Sequence, residues 1–308
     1  MTADLYRQLK RQLCTSLGES EASAVAFWLL EDEAGLSKTD VLMGRADTLS
    51  PEQTDRLCSM ARRIGMGEPV QYVLGHTDFC NLRIQVAPGV LIPRPETEGL
   101  VRLSLSMLPP CRSASETSCP TMLRPRRSQH SLRILDLCTG SGCIALALKH
   151  ACPDATVEGW DLSDDTLRIA RANAEALGLD VGFRKADVLN PQTSTSDRQE
   201  AELCLIVSNP PYVCEGERAD MEARVLDHEP SMALFVPDDD ALRFYRALAR
   251  WGVVMPAATT LVAVEINRRF GNDVVAVFRE HGYSDVQLHQ DSYGNDRYVQ
   301  ATYLHGTN

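Results

Sequence analysis

Between residues 133 and 185 the chain alternates strand-length apolar runs with helix-length amphipathic ones. Residues 133–137 read as a strand, a glycine-containing turn follows, and a helix begins at about Cys143. A second strand covers 156–161, a helix runs from Ser163 to about Leu177, and a third strand covers 181–185. Strands separated by single helices and short turns lie side by side only as parallel neighbours, because antiparallel pairing would leave the helix with no crossover to make. The expected fold class is therefore α/β, with a doubly wound sheet whose ligands sit beyond the carboxyl ends of the strands.

Those strand ends carry the informative residues. Asp136-Leu137-Cys138-Thr139-Gly140-Ser141-Gly142 ends the first strand in small residues that let backbone approach a ligand closely. It has two glycines and lacks the third of the dinucleotide pattern G-x-G-x-x-G. Asp161 ends the second strand, where a carboxylate can accept hydrogen bonds from both hydroxyls of a ribose. Asp187, followed by Val188, ends the third, where it can take an adenine amino group. Each Asp taken singly also fits a helix cap or turn.

A fourth strand, 203–207, stops in Ser208-Asn209-Pro210-Pro211-Tyr212. Asn209 has a side-chain carbonyl, and the two prolines have no backbone N–H, so the neighbourhood is rich in acceptors and poor in donors. A planar group bearing an NH₂ can be gripped there through both hydrogens, with the Tyr212 ring against its face. The plain alternative is a turn that ends the strand.

The first 70 residues read as helical. Leu5, Leu9, Leu13 and Leu17 recur every four residues, Ser20 precedes an apolar helix over 21–31, and Ser50, Pro51 and Gln53 form a capping box that opens a third helix to about Ile64. Residues 78–86 alternate as a hairpin turning near Asn81. Pro88, Pro93 and Pro95 impose an extended path in which Arg94 and Glu98 are candidates for an entrance role. The stretch 109–131 is rich in Ser, Pro, Thr and Arg without apolar periodicity and reads as a flexible insertion. A net charge of 31 − 42 = −11 disfavours a broad nucleic-acid surface. Ten cysteines with no C-x-x-C spacing point to reduced thiols, core-like at Cys143 and Cys204. No apolar run reaches the roughly 20 residues of a membrane span, and no basic, apolar leader opens the chain, so a cytoplasmic protein is expected.

Taken together, Asp136 to Gly142, Asp161 and Asn209-Pro210-Pro211-Tyr212 resemble the class I S-adenosylmethionine-dependent methyltransferases that act on planar amino groups. The resemblance is closest to the peptide-chain release factor glutamine-N5 methyltransferases, the PrmC/HemK family. Supporting stretches are Gly67 to Tyr72, Leu91 to Glu98, His228-Glu229-Pro230 and Gly294-Asn295-Asp296-Arg297.

The resemblance implies a Rossmann-like seven-stranded sheet whose last strand is antiparallel, preceded by a small helical bundle. It implies a helical substrate-recognition domain over 1–75, a hairpin linker over 76–90 and a methyltransferase domain over 91–308 that carries the insertion at 110–131. S-adenosylmethionine is the implied cofactor, held by Cys138, Thr139, Gly140, Ser141, Gly142, Asp161, Asp187, Val188 and Asn209. The methyl acceptor is the glutamine of the Gly-Gly-Gln loop of a release factor, held by Asn209, Pro210, Pro211 and Tyr212. Asn209, Pro210 and Tyr212 are the implied catalytic residues, with no metal, membrane or direct nucleic-acid partner. Cys138 stands where many relatives have Gly, and Val188 where some have an aromatic residue. The alternatives are a ribosomal-protein glutamine methyltransferase, an exocyclic-amine methyltransferase on DNA or RNA, and a binding module that keeps the cofactor as a structural ligand.

Overall fold

The computed structural model describes residues 4–110, 132–190 and 201–306. It separates into two compact units, one of Met1–Thr77, Val86–Pro88 and Met221–Glu229, the other of Asp78–Gln85, Gly89–Asp220 and Pro230–Asn308.

The first unit is built from α1 (Asp4–Leu13), α2 (Glu19–Ala34), α3 (Lys38–Leu42), α4 (Pro51–Gly65) and α5 (Val70–Leu74). Leu5, Leu9 and Leu13 face inward and bury against Leu29, Leu30, Leu57 and Ile64. The capping box at α4 is complete: Ser50 Oγ accepts the Gln53 N–H at 3.2 Å, Gln53 Oε1 accepts the Ser50 N–H at 3.2 Å, and Pro51 occupies the first turn. At α2 the sequence reading is corrected. Gly18, not Ser20, is the N-cap, and Glu19 and Glu21 fall in the first turn, where their charge suits the exposed N–H groups.

Next, β1 (His76–Phe79) and β2 (Leu82–Gln85) form a two-stranded sheet joined by Cys80 and Asn81, both at positive φ, 49° and 62°. Such a turn matches the twist of a hairpin, as Asn81 leads one to expect.

The second unit continues with α6 (Thr97–Met107), β3 (Leu132–Leu137), α7 (Cys143–Ala151), β4 (Thr156–Asp161), α8 (Asp164–Leu177), β5 (Gly182–Lys185) and β6 (Ala201–Ser208). Two short strands, β7 (Val213–Cys214) and β8 (Phe235–Val236), pair with each other, and α10 (Ser231–Leu234) leads into β8; the helical turn α9 (Ala223–His228) belongs to the first unit. The chain closes through α11 (Arg243–Val254), β9 (Ala257–Glu265), α12 (Gly271–Glu280), β10 (Ser284–Gln290) and β11 (Asp296–Leu304). The seven-stranded sheet runs β10-β11-β9-β6-β3-β4-β5, and β11 is antiparallel to both of its neighbours, as the resemblance implies.

Burial explains the sheet's composition. Ile134, Leu135 and Leu137 on β3 and Cys204 to Val207 on β6 are buried as continuous runs, the pattern of strands covered on both faces. One core joins β3, β6 and β9 to α11 and α12 through Tyr245, Leu248, Trp251 and Phe278. Trp160 meets Trp251 edge to face at 5.3 Å between centroids. The order of strands reverses beside β3, with β4 and β5 on one side and β6 and β9 on the other, which opens a crevice at the carboxyl ends.

Cys143 and Cys204 are buried free thiols, as expected. The insertion expected over 110–131 lies, beyond its first residue, outside the described residues. Among the described residues no helix is long and apolar enough to cross a membrane.

Because the capping box satisfies two backbone donors at the start of α4, Ser50→Ala is expected to lower stability by about 1 kcal/mol. A urea melt followed by helical circular dichroism measures it. An unchanged midpoint would mean that water replaces the Ser50 hydroxyl without loss.

Candidate active site

The turn after β3 is shaped by its neighbour strand. The Thr139 N–H donates to the Trp160 carbonyl at 3.0 Å, folding the turn over the end of β4. That approach needs Gly159: a Cβ there would lie 2.6 Å from Thr139 Oγ1 and 2.7 Å from the Phe183 ring. Within the turn Cys138, Gly140 and Gly142 all take positive φ, 66°, 56° and 81°, which is ordinary for glycine and uncommon for cysteine.

Asp136 anchors the turn from below. It is fully buried, and its Oδ2 accepts the Thr139 hydroxyl at 2.6 Å and the Ala145 N–H in the first turn of α7 at 3.1 Å. Its Oδ1 has no partner among the described residues. Burial pushes the Asp136 carboxyl up from 3.8 to about 7, against the two hydrogen bonds that favour the charged form.

Asp161 is held at both oxygens. Oδ2 accepts the Gly140 N–H at 3.0 Å and Oδ1 the Ser163 N–H at 3.1 Å, so the carboxylate is fixed while each oxygen keeps lone-pair capacity. Burial raises its pKa, with the N–H groups of Ser163, Gly140 and Leu162 opposing. Beyond β5, Asp187 Oδ1 accepts the Leu189 N–H at 2.9 Å, and the Val188 carbonyl accepts the Trp251 indole N–H at 2.8 Å.

Beyond β6 the Asn209 Nδ2 donates to Thr97 Oγ1 at 3.1 Å, and the Thr97 hydroxyl donates to Glu265 Oε2 at 2.8 Å. The other oxygen of the same carboxylate, Oε1, accepts the Tyr212 hydroxyl at 3.0 Å. Burial raises the pKa of Glu265, while the bonds from Thr97 and Tyr212 and the charge of Arg297 favour its ionised form. The Tyr212 hydroxyl, buried beside Glu265, is pushed well above the usual phenol range.

These strand ends open on a cavity of about 350 Å³, within the size range of small-ligand sites. Cys138, Thr139, Gly140 and Ser141 line one wall, Asp161, Asp187 and Val188 a second, and Asn209 and Pro211 a third. Three residues expected at the site do not line it: Gly142 packs beneath against Phe183, Pro210 is buried, and Tyr212 turns its hydroxyl to Glu265. Sequence reasoning missed Thr97, which lay in a quoted stretch but read only as part of a helix start. It missed Arg243, Phe235 and Phe244, which also line the cavity and lie in segments without a motif. Arg94 lines it too, and Glu98 instead accepts the Cys80 N–H at 2.9 Å.

The site fits the cofactor that the resemblance implies. A fixed carboxylate with spare lone pairs suits a ribose diol, and the glycine turn leaves room for a chain to pass. Ser141, buried beside the Cys143 thiol, brings a hydroxyl to the lining of the cavity. No cluster of His, Cys, Asp and Glu among the described residues could hold a metal ion.

The raised pKa of Asp136 makes stability depend on pH with a definite sign. The folded state keeps a proton that the unfolded chain releases, so this contribution is full below about pH 4 and is lost as pH rises through about 7. Asp136→Asn removes that titration and is expected to flatten the fall in thermal midpoint between about pH 5 and 8. Parallel curves for the two proteins would mean that Asp136 is already ionised in the folded state.

Comparison with known proteins agrees with this geometry. Residues 4–75 match the model of the PrmC N-terminal domain, and residues 119–230 that of the Methyltransferase small domain. The chain is 40% identical to the release factor glutamine methyltransferase of Bacteroides thetaiotaomicron, over 91% of this chain and 92% of that one. It is 32% identical to the protein of the same name from Flavobacterium psychrophilum, over 97% and 98%. Among solved structures it is similar to the hMettl16 catalytic domain in complex with MAT2A 3'UTR hairpin 6, with a TM-score of 0.50, 13% identity and 81% and 82% coverage. That is a likeness of fold alone.

Proposed function

The chain belongs to the family of release factor glutamine methyltransferases, and on that premise we propose that it methylates the side-chain amide nitrogen of the glutamine in the Gly-Gly-Gln loop of peptide chain release factors. The observation that carries the reading is the state of Asn209. Its Nδ2 is committed to Thr97, and its Oδ1 accepts no hydrogen bond among the described residues beside a cavity that Asn209 lines.

An amide nitrogen is a poor nucleophile because its lone pair is delocalised into the carbonyl. Asn209 Oδ1 accepts an amide hydrogen of the substrate glutamine and aims its nitrogen into the cavity. A fixed acceptor also favours the pyramidal, partly positive nitrogen that develops as the amide reacts. Pro211 completes the substrate side, and Tyr212 supports it from behind through its bond to Glu265. S-adenosylmethionine supplies, when bound, a methyl group on a cationic sulfonium. Asp161 holds its ribose, Asp187 and Val188 its adenine, and Cys138, Thr139, Gly140 and Ser141 its methionine portion. The reaction takes place in the cytoplasm, where release factors act. The helical domain of residues 1–75 recognises the body of the release factor, since the cofactor and amide sites are accounted for in the methyltransferase domain over 91–308, with 76–90 as linker.

Purified protein is incubated with labelled S-adenosylmethionine and, separately, a release factor, ribosomal proteins and RNA. Label on the Gly-Gly-Gln glutamine is expected. Label confined to ribosomal protein or to RNA would overturn the substrate assignment, and no transfer at all would overturn the activity. Asp161→Ala is expected to weaken cofactor binding by about 1.5 to 3 kcal/mol in calorimetry, the loss of hydrogen bonds to a charged acceptor. Turnover at saturating cofactor should change less, because a ribose contact serves ground and transition states alike. Unchanged affinity would reduce Asp161 to a support for the turn.

A further inference from the structure

The Glu265 carboxylate touches no wall of the cavity, yet it closes a directed chain of hydrogen bonds that ends on the residue proposed to hold the substrate amide. It is almost completely buried at the end of β9, where both its oxygens receive O–H donors, from Thr97 at 2.8 Å and from Tyr212 at 3.0 Å. An ionised carboxylate only accepts, so two hydroxyl donors on its two oxygens form a fully matched set. The direction of the whole chain then follows. Thr97 has one hydroxyl proton and spends it on Glu265, so toward Asn209 it can only accept. Asn209 must therefore turn its NH₂ to Thr97, as the 3.1 Å contact records, and its carbonyl the other way. A carboxamide has two nearly isosteric orientations, and only a fixed partner chooses between them.

We propose that Glu265 is a positioning residue that, through Thr97, locks the Asn209 carboxamide with its Oδ1 presented as an acceptor. This rests on the reading of Asn209 given above. The elements that deliver the chain support the assignment: Thr97 comes from α6, Glu265 from β9 and Asn209 from the end of β6. The base of the network is tied down independently. The Tyr245 hydroxyl donates to the Glu265 carbonyl at 3.3 Å, and the Asn267 Nδ2 donates to the Tyr212 carbonyl at 3.2 Å. Arg297, from the Gly294 to Arg297 stretch, is anchored to Asp291 at 3.3 Å, and its positive charge favours the ionised form of the carboxylate. A neutral carboxamide at position 265 would have one donor and one acceptor where the site needs two acceptors. Facing Thr97, its NH₂ would free the Thr97 proton to point at Asn209 and favour the flipped, donating orientation.

The test is a double-mutant cycle on single-turnover methyl transfer to a release factor at saturating cofactor, using Glu265→Gln, Thr97→Val, the pair, and Thr97→Ser. Loss of orientation at a reacting group is expected to slow Glu265→Gln on the order of 10²-fold. The pair should be no slower than about the slower single variant, because both changes cut one chain. Thr97→Ser, which keeps the hydroxyl, should restore the rate lost in Thr97→Val. Thermal melts check that each variant is folded, and the near-isosteric Gln and Ser replacements keep the comparison available if the valine variant is unstable. A Glu265→Gln rate equal to wild type, losses that multiply in the pair, or a serine variant no faster than the valine one would each overturn the proposal. An inactive wild-type protein would instead overturn the methyltransferase reading beneath it.

Discussion

The parallel register of β6 on β9 is the constraint from which the site follows. Ser208 pairs with Val264, so the next residue on each strand, Asn209 and Glu265, emerges at the same carboxyl edge. Antiparallel β11 completes the edge by setting Tyr298 opposite Glu265, which brings Arg297 beside it. A slip of one residue in either pairing would turn these side chains to the opposite face of the sheet. The apolar runs Cys204 to Val207 and Val262 to Val264, buried on both faces, hold the strands in place. Hydrophobic burial therefore sets the geometry of the polar groups at this edge.

That edge is electrically demanding. Asp136 and Glu265 are both carboxyl groups taken almost wholly out of water, which is tolerated only where donors replace the lost solvent. Glu265 receives a hydroxyl on each oxygen and has Arg297 nearby, whereas Asp136 receives both its bonds on one oxygen and has no partner on the other among the described residues. The two therefore differ in use. Asp136 stitches the turn after β3 to the first turn of α7, while Glu265 organises residues that approach from three separate elements.

Much of the frame was legible in the sequence because it is written in local patterns. The α4 capping box lies within four residues, the Cys80-Asn81 hairpin turn within two, and the β-α alternation from β3 to β5 follows from apolar period and spacing. The walls holding Asp161, Asp187 and Asn209 were legible for the same reason, since each residue directly follows or ends a readable strand. Gly18 in place of Ser20 as the α2 cap was not, because a backbone-only cap leaves no side-chain signature. The links Thr97 to Glu265 and Asn209 to Thr97 span 168 and 112 positions. No short-range pattern encodes such pairs. Thr97 accordingly did not stand out.

The central claim is that the Asn209 carbonyl acts on the reacting amide and does not merely shape the turn before Pro210. The most direct measurement sets the single-turnover rate of Asn209→Ala, at saturating S-adenosylmethionine, beside its denaturant melt. The account predicts a rate lowered by about 10²- to 10³-fold, the loss typical of a preorganised polar group at a reacting centre, with the fold retained. A wild-type rate accompanied by a melt lowered by about 1 kcal/mol, as for a lost local hydrogen bond, would contradict it.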